Sequence, residues 1–452
     1  MKKLEILKNV TNIHFVGIGG ISMSALAKYC ILCGYNVSGS DEKNVRETCD
    51  FQSCNCKLFI GHSAKNVQNA EAIIFSGAID DENPEIIEAK RKNIPLVRRS
   101  ELLGCILKSY KNSVAIAGSH GKTTATAMLV HVFERANKSP LAFIGGEDKK
   151  FGNFLCGNGD TVITEACEYK QSFLDLNATV SVALNVDNDH LDCYKNMENL
   201  TLAFRKFLSN GIAVINADDS RLKSITGECV VSFGIKEIAS YKAEKLCKNK
   251  SGGYSFTLFR YGVKQGRINL RVFGKHNVYN ALSAITVASI FGIDFLTIKR
   301  ALEQFSGVGR RMESLGYLYG NPCYADYAHH PSEIKASLSA FNVQEKDVIV
   351  FQPHTYSRTR LLMADFVKIL SGVETVIYST YPARETFDAK GSAYTLYREI
   401  KKAGGKTDYA STPHELFYLL KRYEDSGGRI IFVGAGDIYQ LAKAKSHDKK
   451  RK

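Results

Sequence analysis

The sequence contains no apolar run that approaches the roughly 18 residues needed to cross a membrane. We also expect no secretory leader, because Glu5, Lys8 and Asn9 interrupt the segment that follows the basic first residues. No repeat of solenoid period and no low-complexity tract occur before the C-terminal lysines. These absences argue against a membrane-inserted or repeat protein, and we expect a globular protein of the cytoplasm.

Long disordered regions are not expected either, because 44% of the residues are hydrophobic and 23% are charged, which is ordinary for a globular protein. A chain of 452 residues exceeds the size at which one hydrophobic core stops growing, so two or three domains are predicted. The formal net charge of +14 suits an anionic ligand such as a nucleotide, and it equally suits nucleic acid. We interpret the lysines at the C-terminus as a solvated chain end.

The twelve cysteines are expected to stay mostly reduced in the cytoplasm. The spacings Cys30-x-x-Cys33 and Cys54-x-Cys56 resemble those of zinc sites. However, the first pair lies on an apolar, helix-like run, and no set of His or Cys residues completes four ligands. We therefore predict no zinc site there.

The most informative segment joins a β-rich run at 113–117 to a helix predicted from about Thr124 to Arg135. A glycine-rich turn at such a junction lets backbone N–H groups approach phosphate oxygens, and the helix N-terminus adds partial positive charge. Lys122 would then bind the terminal phosphates and the Thr123 hydroxyl a Mg²⁺ ion. Ile116 stands where the full nucleotide-binding pattern has its first glycine, so the spacing departs from that pattern.

A second glycine turn lies near the N-terminus, in a pattern of strand Ile13–Val16, turn, helix Ile21–Leu32 and strand Tyr35–Ser38. Asp41 follows that strand about where dinucleotide-binding folds place a ribose-binding acid. However, Ser22 replaces the third glycine of the dinucleotide fingerprint. The turn therefore predicts phosphate binding but not NAD binding.

Strands and helices alternate along the rest of the chain, which predicts an α/β protein with mainly parallel, doubly wound sheets. We predict a Rossmann-like N-terminal domain at 1–110, a central P-loop ATPase-like domain at 111–309, and a Rossmann-like C-terminal α/β domain at 310–452. A lysine-rich stretch at 237–267 reads as antiparallel hairpins at the edge of the central sheet.

Acidic residues follow two predicted strands of the central domain. Glu165 and Glu168 come after one strand, and residues 185–192 add three acids and a histidine after the next. Ligands bind at the carboxyl ends of the strands in such sheets, so these carboxylates are well placed to hold Mg²⁺. Taken alone, each cluster could equally be a polar loop.

The C-terminal domain supplies cationic residues. His329 and His330 form one loop, and a second loop at 352–360 carries His, Tyr and two Arg residues. Arg358 and Arg360, two positions apart after a strand, could grip a carboxylate or a transferred phosphoryl group. Surface ion pairs are the alternative interpretation.

Taken together, these motifs resemble those of the Mur ligases, in order and over nearly the whole chain. The double-histidine loop, together with the His-x-Tyr-x-Arg-x-Arg segment that starts at His354, is typical of the family member that adds L-alanine. The segments that carry the resemblance are Gly17 to Ser24, Gly118 to Thr124, Glu165 to Glu168, Asn185 to His190, Gly274 to Ala281, Gly309 to Arg311, Asp326 to Pro331, Gln352 to Arg360 and Gly434 to Asp437.

The resemblance implies an enzyme of peptidoglycan synthesis that uses ATP and Mg²⁺ to join the lactyl carboxylate of UDP-N-acetylmuramic acid to the amine of L-alanine. It implies an acyl-phosphate intermediate and closure of the third domain during the reaction. It implies neither a nucleic-acid partner nor insertion into a membrane, and we expect a monomer or weak homodimer. Two departures, Ala125 for a threonine and Cys167 for an aspartate, remove no proposed ligand group.

The resemblance also implies a role for each matching residue. The UDP-sugar would be bound by Gly19, Gly20, Ser22, Met23, His62 and Ser76. ATP would be bound by Gly118, Ser119, His120, Gly121, Lys122, Thr123, Thr124, Asn277, Asn280, Arg310 and Asp326. The metal ligands would be Thr123, Glu165 and His190. The catalytic residues would be Lys122, His190, His330, Arg358 and Arg360. The amino acid would be bound by His354, Tyr356 and Arg358.

Three alternatives remain open at this point. A sister ligase that recycles whole peptides onto the same nucleotide sugar would share most of these motifs. An NAD-dependent oxidoreductase would explain the first glycine turn but not the central and C-terminal motifs. A nucleic-acid-stimulated ATPase would explain the basic charge.

Overall fold

The computed structural model describes residues 4–42, 56–187, 191–225, 227, 229–250, 252–383 and 385–447. Strands and helices alternate, and the strands form three separate sheets. The prediction of a three-domain α/β architecture is confirmed. Within the described ranges, no helix is both long enough and apolar enough to span a bilayer.

The first sheet has five parallel strands in the order β3-β2-β1-β4-β5. The predicted second strand continues to Asp41, because Ser40 pairs with Val16 and Asp41 pairs with Ile60 on the next strand. The strands are β1 (Asn12–Val16), β2 (Asn36–Asp41), β3 (Lys57–Ile60), β4 (Ala72–Phe75) and β5 (Leu96–Arg98), and the helices are α1 (Ile21–Leu32), α2 (Pro84–Arg91) and α3 (Arg99–Lys108).

The central sheet has ten strands in the order β15-β14-β13-β12-β11-β10-β6-β9-β7-β8. The strands from β12 to β7 in this order are parallel to their neighbours, and β8 is antiparallel to β7. The strands are β6 (Asn112–Ala117), β7 (Leu141–Asp148), β8 (Gly152–Cys156), β9 (Thr161–Glu165), β10 (Val180–Ala183), β11 (Ile212–Asn216), β12 (Val230–Gly234), β13 (Tyr241–Lys248), β14 (Gly253–Arg260) and β15 (Val263–Phe273). The helices are α4 (Lys122–Arg135), α5 (Leu191–Tyr194), α6 (Met197–Leu208), α7 (His276–Ile290) and α8 (Phe295–Gln304).

The third sheet has six strands in the order β16-β17-β21-β18-β19-β20, parallel except for the β16–β17 pair. The strands are β16 (Glu313–Leu318), β17 (Asn321–Asp326), β18 (Val348–Phe351), β19 (Thr375–Tyr378), β20 (Thr407–Ala410) and β21 (Ile430–Val433). The helices are α9 (Pro331–Phe341), α10 (Tyr356–Leu361), α11 (Met363–Leu370), α12 (Ala393–Lys402), α13 (Pro413–Leu420) and α14 (Ile438–Lys445). Short 3-10 helices lie at Glu5–Leu7, Ala64–Val67, Tyr169–Asp175, Ala389–Gly391 and Lys421–Tyr423.

By compactness the chain divides into two units. The first unit (Met1–Cys247, Ser255–Leu270 and Asn277–Phe305) contains the whole first sheet and most of the central one. One hydrophobic cluster runs through both sheets, from Phe15 on β1 to Phe204 on α6. The second unit (Lys248–Tyr254, Arg271–His276 and Ser306–Lys452) holds the third sheet. The boundary predicted near residue 110 therefore separates two sheets of one unit.

A close backbone approach joins the first sheet's last helix to the central sheet. Gly104 on α3 faces the 3-10 helix Tyr169–Asp175, and a Cβ atom at Gly104 would lie 2.4 Å from the Asp175 carbonyl oxygen. Because that contact is to backbone, the two elements must move apart to admit a side chain. Only glycine therefore permits this contact.

We predict that Gly104→Ala lowers the free energy of unfolding by about 1–3 kcal/mol, since overpacking outweighs the better helix propensity of alanine. Urea denaturation measures the change. Gly77→Ala is the matched control: a Cβ atom there meets nothing within 4 Å. Equal urea midpoints for the two variants would contradict the prediction.

Candidate active site

The turn between β1 and α1 is held by the end of β2. The Gly17 and Ile18 N–H groups donate to the Ser40 carbonyl oxygen at 2.9 and 3.0 Å. The Gly19 N–H donates to the Asp41 carboxylate at 2.9 Å. Asp41 occupies the position of a ribose-binding acid, and in this structure it supports the glycine turn itself.

The residues predicted to bind the UDP-sugar differ in accessibility. Gly20 is exposed and Ser22 half-buried at the start of α1, whereas the Met23 side chain is 2% exposed and packs in the core. The prediction for Met23 can therefore apply only to its backbone. Ser76 follows β4 and is half-buried, and its hydroxyl accepts a hydrogen bond from the Ala78 N–H at 3.3 Å.

His62 contacts a carboxylate that the sequence analysis did not single out. Glu85 is fully buried, and its Oε2 lies 2.8 Å from His62 Nδ1 and accepts the Ser40 hydroxyl at 2.6 Å. Burial raises the pKa of Glu85, but the opposing effects of His14, whose Nε2 lies 3.5 Å from Oε1, and of hydrogen bonds from Ser40 and Asn66 are larger, so the pKa falls to about 2. Because Nδ1 faces Glu85, the His62 ring is oriented with Nε2 on the opposite side.

The turn between β6 and α4 requires glycine at two positions. Gly118 has φ +149° and Gly121 has φ +86°. A Cβ atom at Gly118 would lie 2.9 Å from Leu184 Cβ, and one at Gly121 would lie 2.4 Å from Asn280 Oδ1. Gly121 caps α4, so the helix begins at Lys122, two residues before the predicted start.

Two polar residues after β10 hold this phosphate loop. The His120 N–H donates to Asn185 Oδ1 at 2.8 Å, and the Asn185 amide donates back to the His120 carbonyl oxygen at 3.0 Å. The Asp187 N–H donates to Ser119 Oγ at 2.8 Å, and Asp187 Oδ2 lies 3.2 Å from His120 Nε2. We predicted a metal cluster at 185–192, and two of its residues, Asn185 and Asp187, support the loop. The predicted ligand His190 lies outside the described residues.

Lys122 forms a buried ion pair with Glu168. Its Nζ lies 3.0 and 2.9 Å from the two Glu168 carboxylate oxygens and donates to the Gly118 carbonyl oxygen at 2.5 Å. Burial lowers the pKa of Lys122, but the Glu168 charge raises it more, so the pKa lies above its ordinary value. Lys122 is therefore cationic, and a phosphate oxygen that reaches it must share the ammonium group with Glu168.

Thr123 and Glu165 lie together at the start of α4. The Thr123 hydroxyl donates to Glu165 Oε2 at 3.2 Å, and the Gly145 N–H donates to Glu165 Oε1 at 2.5 Å. A Cβ atom at Gly145 would lie 2.4 Å from Glu165 Oε2. A hydroxyl beside a carboxylate is an oxygen donor set of the kind that Mg²⁺ prefers, so these two residues fit the predicted metal site.

Asn277 and Asn280, predicted to touch the nucleotide base, are buried on α7. The Asn280 amide donates to Asn277 Oδ1 at 2.8 Å. Since Asn280 also lies against Gly121, it contacts the phosphate loop. Contact with the base stays a prediction.

One cavity of about 180 Å³ is lined by residues from the starts of the two helices that follow the glycine turns. Ser22 at the start of α1 and Lys122 at the start of α4 both line it. Glu165 and Arg99 add charge of opposite sign to its wall. The remaining lining residues are mostly apolar, and the whole set is Ile21, Ser22, Ala25, Leu26, Arg99, Leu103, Lys122, Phe143, Ile144, Gly145, Thr164, Glu165 and Cys167. We call this space the shared cavity.

In the second unit, Asp326 and Arg310, both predicted to contact the nucleotide, have partners close by in the chain or the fold. Asp326 accepts the Met312 and Ala328 N–H groups at 2.8 and 3.0 Å. Burial raises the pKa of Asp326, against the charge of Arg311. Arg310 has φ +60°, and its guanidinium lies 4.6 Å from the centroid of the Tyr439 ring. Their roles toward ribose and phosphate stay predictions.

The predicted histidines form two local arrangements. His330 caps α9, with its Nδ1 2.8 Å from the Ser332 hydroxyl. His354 lies with its ring centroid 5.6 Å from that of His329 and 5.5 Å from that of Tyr381. Burial, helped by the charges of His329 and Arg358, lowers the pKa of His354 to about 4. His354 is therefore neutral at neutral pH.

Arg358 and Arg360 diverge, although they are two positions apart. Both lie on α10, and residues two apart on a helix point in different directions. Arg358 Nη1 lies 3.3 Å from His354 Nδ1, whereas Arg360 pairs with Asp388 at 2.9 Å on the surface. The two guanidinium groups thus face different partners and do not form a joint grip on one anion. Tyr356 begins α10, with its ring 5.5 Å from that of Phe387.

Sequence analysis missed two supporting side chains, Glu85 and Asn153, and assigned two others, Glu168 and Asn185, to a predicted metal cluster. Glu85 and Glu168 hold His62 and Lys122, and Asn185 holds the phosphate loop. The Asn153 amide on β8 donates to the Ile21 carbonyl oxygen at 2.7 Å and to the Ser24 hydroxyl at 2.9 Å, which fixes the start of α1. The acidic motif at residues 165–168 had indicated a functional role for Glu168. Nothing in the spacing of Glu85 or Asn153 indicates their long-range partners.

Three family models match successive parts of the chain. The Mur ligase family catalytic domain matches residues 12–111, the Mur ligase middle domain 116–288, and the Mur ligase glutamate ligase domain 310–436. The chain belongs to the Mur ligase family.

Within that family the chain is similar to UDP-N-acetylmuramate–L-alanine ligases. The Aquifex aeolicus protein of that name is 40% identical over 95% of this chain and 96% of its own length, and the Clostridium perfringens protein is 39% identical over 97% and 98%. The crystal structure of UDP-N-acetylmuramate-alanine ligase from Thermotoga maritima superimposes with a TM-score of 0.83 at 30% identity, covering 96% of this chain and 97% of that one.

The Glu85 network predicts a pH-dependent contribution to stability. The folded-state pKa of about 2 lies below the ordinary value of 4.5, so the charged form stabilises the fold above pH 4.5 and this stabilisation is lost as the pH falls towards 2. We expect Glu85→Gln to lower the free energy of unfolding by up to about 3 kcal/mol near neutral pH.

The measurement is urea denaturation of the wild type and the Glu85→Gln variant across the acidic range. The gap between them should shrink below pH 4.5. Glu82→Gln, at an exposed neighbouring carboxylate, is the control and should show no gap. A gap for Glu85→Gln that does not change with pH would contradict the assignment.

Proposed function

We propose that the protein is an ATP-dependent ligase that joins L-alanine to the lactyl carboxylate of UDP-N-acetylmuramic acid, releasing ADP and phosphate, in peptidoglycan precursor synthesis. The shared cavity carries the proposal, because it is lined by the start of the helix that follows a turn suited to a sugar nucleotide and by the start of the helix that follows a turn suited to ATP. The near full-length similarity to L-alanine ligases supports this substrate pair.

The chemistry requires activation of the carboxylate. A carboxylate oxygen attacks the γ-phosphorus of ATP, the bond to the β-phosphate oxygen breaks, and ADP leaves with an acyl phosphate behind. The alanine amine then forms the amide bond, and phosphate leaves with the bonding electron pair. Lys122 is suited to bind the transferred phosphoryl group, since it is cationic and lies at the cavity wall.

Mg²⁺ is part of this proposal. Thr123 and Glu165 would hold it, with His190 as the third proposed ligand. A bound Mg²⁺ neutralises phosphate charge, which two approaching anions need. The Glu165 side chain is already oriented for this by the Gly145 N–H.

We assign the amino acid to His354, Tyr356 and Arg358. Arg358 can pair with the alanine carboxylate. His354 is neutral because its pKa is about 4, so its Nδ1, which lies 3.3 Å from Arg358 Nη1, can accept a hydrogen bond from Arg358 and orient that guanidinium group towards the alanine carboxylate. His330 and Arg360 remain proposed catalytic residues. The cytoplasmic location, the monomer or weak homodimer, and the absence of a nucleic-acid partner also stay predictions.

The function is tested by measuring ADP release while ATP, UDP-N-acetylmuramic acid and L-alanine are omitted in turn. We expect full turnover only with all three, because phosphoryl transfer requires the acceptor carboxylate and release of phosphate requires the amine. Replacing L-alanine by a tripeptide that starts with L-alanine distinguishes the peptide-recycling ligase. Turnover with the tripeptide alone, or AMP as the product, would overturn the proposal.

A second measurement tests the metal site. We predict that Glu165→Gln raises the Mg²⁺ concentration for half-maximal rate by about tenfold or more, because the variant keeps the shape and loses the charged ligand. Glu147→Gln, at an exposed carboxylate of β7, is the control and should leave the Mg²⁺ dependence unchanged. Identical Mg²⁺ curves for both variants would exclude Glu165 as a ligand.

A further inference from the structure

Arg99 brings a guanidinium group to the shared cavity. It is half-buried at the first position of α3 and lines the cavity together with residues of the central sheet. Among the described residues it forms no hydrogen bond or ion pair. Its neighbour Arg98 is different: it is paired with Glu101 at 2.9 Å and lies 3.7 Å from Asp175.

The other charged groups of this region are already paired. The Lys122 charge is compensated by Glu168, and Glu165 accepts hydrogen bonds from Thr123 and the Gly145 N–H. A half-buried guanidinium without a counter-charge is unfavourable, whereas its planar donor fork matches a carboxylate well. Among the described residues Arg99 is thus the cationic group of the cavity wall that has neither a hydrogen bond nor an ion pair.

The position of Arg99 indicates which part of the sugar nucleotide it meets. The diphosphate is expected at the N-terminus of α1, near Ser22, which lines the shared cavity. Arg99 lines the same cavity together with Cys167, Glu165 and Lys122. The lining therefore places Arg99 and the phosphate-binding Lys122 on the wall of one small space.

We propose that Arg99 binds the lactyl carboxylate of the sugar nucleotide and holds it facing Lys122. This proposal rests on the proposed function and adds a residue that recognises the acceptor group. The apolar side chains of Leu103 and Phe143 on the cavity wall suit the methyl group next to that carboxylate. Arg99 would also offset the repulsion between the carboxylate and the γ-phosphate.

The test uses two ligands that differ only in the proposed contact. Calorimetry in the absence of ATP measures binding of UDP-N-acetylmuramic acid and of its analogue with a lactyl carboxamide. For Arg99→Gln we expect the carboxylate ligand to lose about tenfold or more in affinity, because a charge-assisted bidentate contact is removed, while the carboxamide loses less than about twofold. Arg99→Lys should recover part of the loss.

Arg98→Gln is the matched control and should bind both ligands as the wild type does, since Arg98 does not line the cavity. Equal loss for both ligands would overturn the proposal and place Arg99 on the diphosphate or in the fold of the site. Unchanged binding of both ligands would overturn it as well. If the wild type binds neither ligand, the proposed function itself fails, which is a distinguishable result.

Discussion

The buried ion pair between Lys122 and Glu168 is the interaction on which the site depends. A lysine in an apolar surrounding would lose its charge, and Glu168 keeps it cationic where phosphate charge must be neutralised. The pair stands at the wall of the shared cavity because α4 begins at Lys122, directly after Gly121. Neither residue could be replaced alone without leaving the other as an unpaired buried charge.

Each of the two glycine turns is supported from outside its own segment. The end of β2 holds the first turn, and Asn153 of the central sheet fixes the helix that follows it. Asn185 and Asp187 hold the second turn, with Asn280 against its last glycine. Since both turns belong to one compact unit with a continuous core, the distance between the two ligands they would bind is set by packing rather than by flexible linkers.

In the second unit, burial determines which of the neighbouring histidine and arginine side chains carries a positive charge. His354 lies among His329, Arg358 and Tyr381, and its low pKa makes it a hydrogen-bond acceptor, not a cation. Arg358 therefore supplies the positive charge of this arrangement. Arg360 points to Asp388 at the surface, so sequence proximity of the two arginines does not translate into a common contact.

Local patterns in the sequence determined much of this protein. Apolar runs and glycine turns predicted most of the parallel strands, both turns and the family, because these features depend on residues close together in the chain. The strands β3, β7 and β8 were missed, since their pairing depends on distant neighbours. The tertiary structure alone decided which polar groups meet, such as Glu85 with His62 across 23 residues and Lys122 with Glu168. It also left Arg99 without a hydrogen bond or ion pair in the part of the chain that the structure describes. Such contacts follow from how the strand ends and helices pack, which no local spacing encodes.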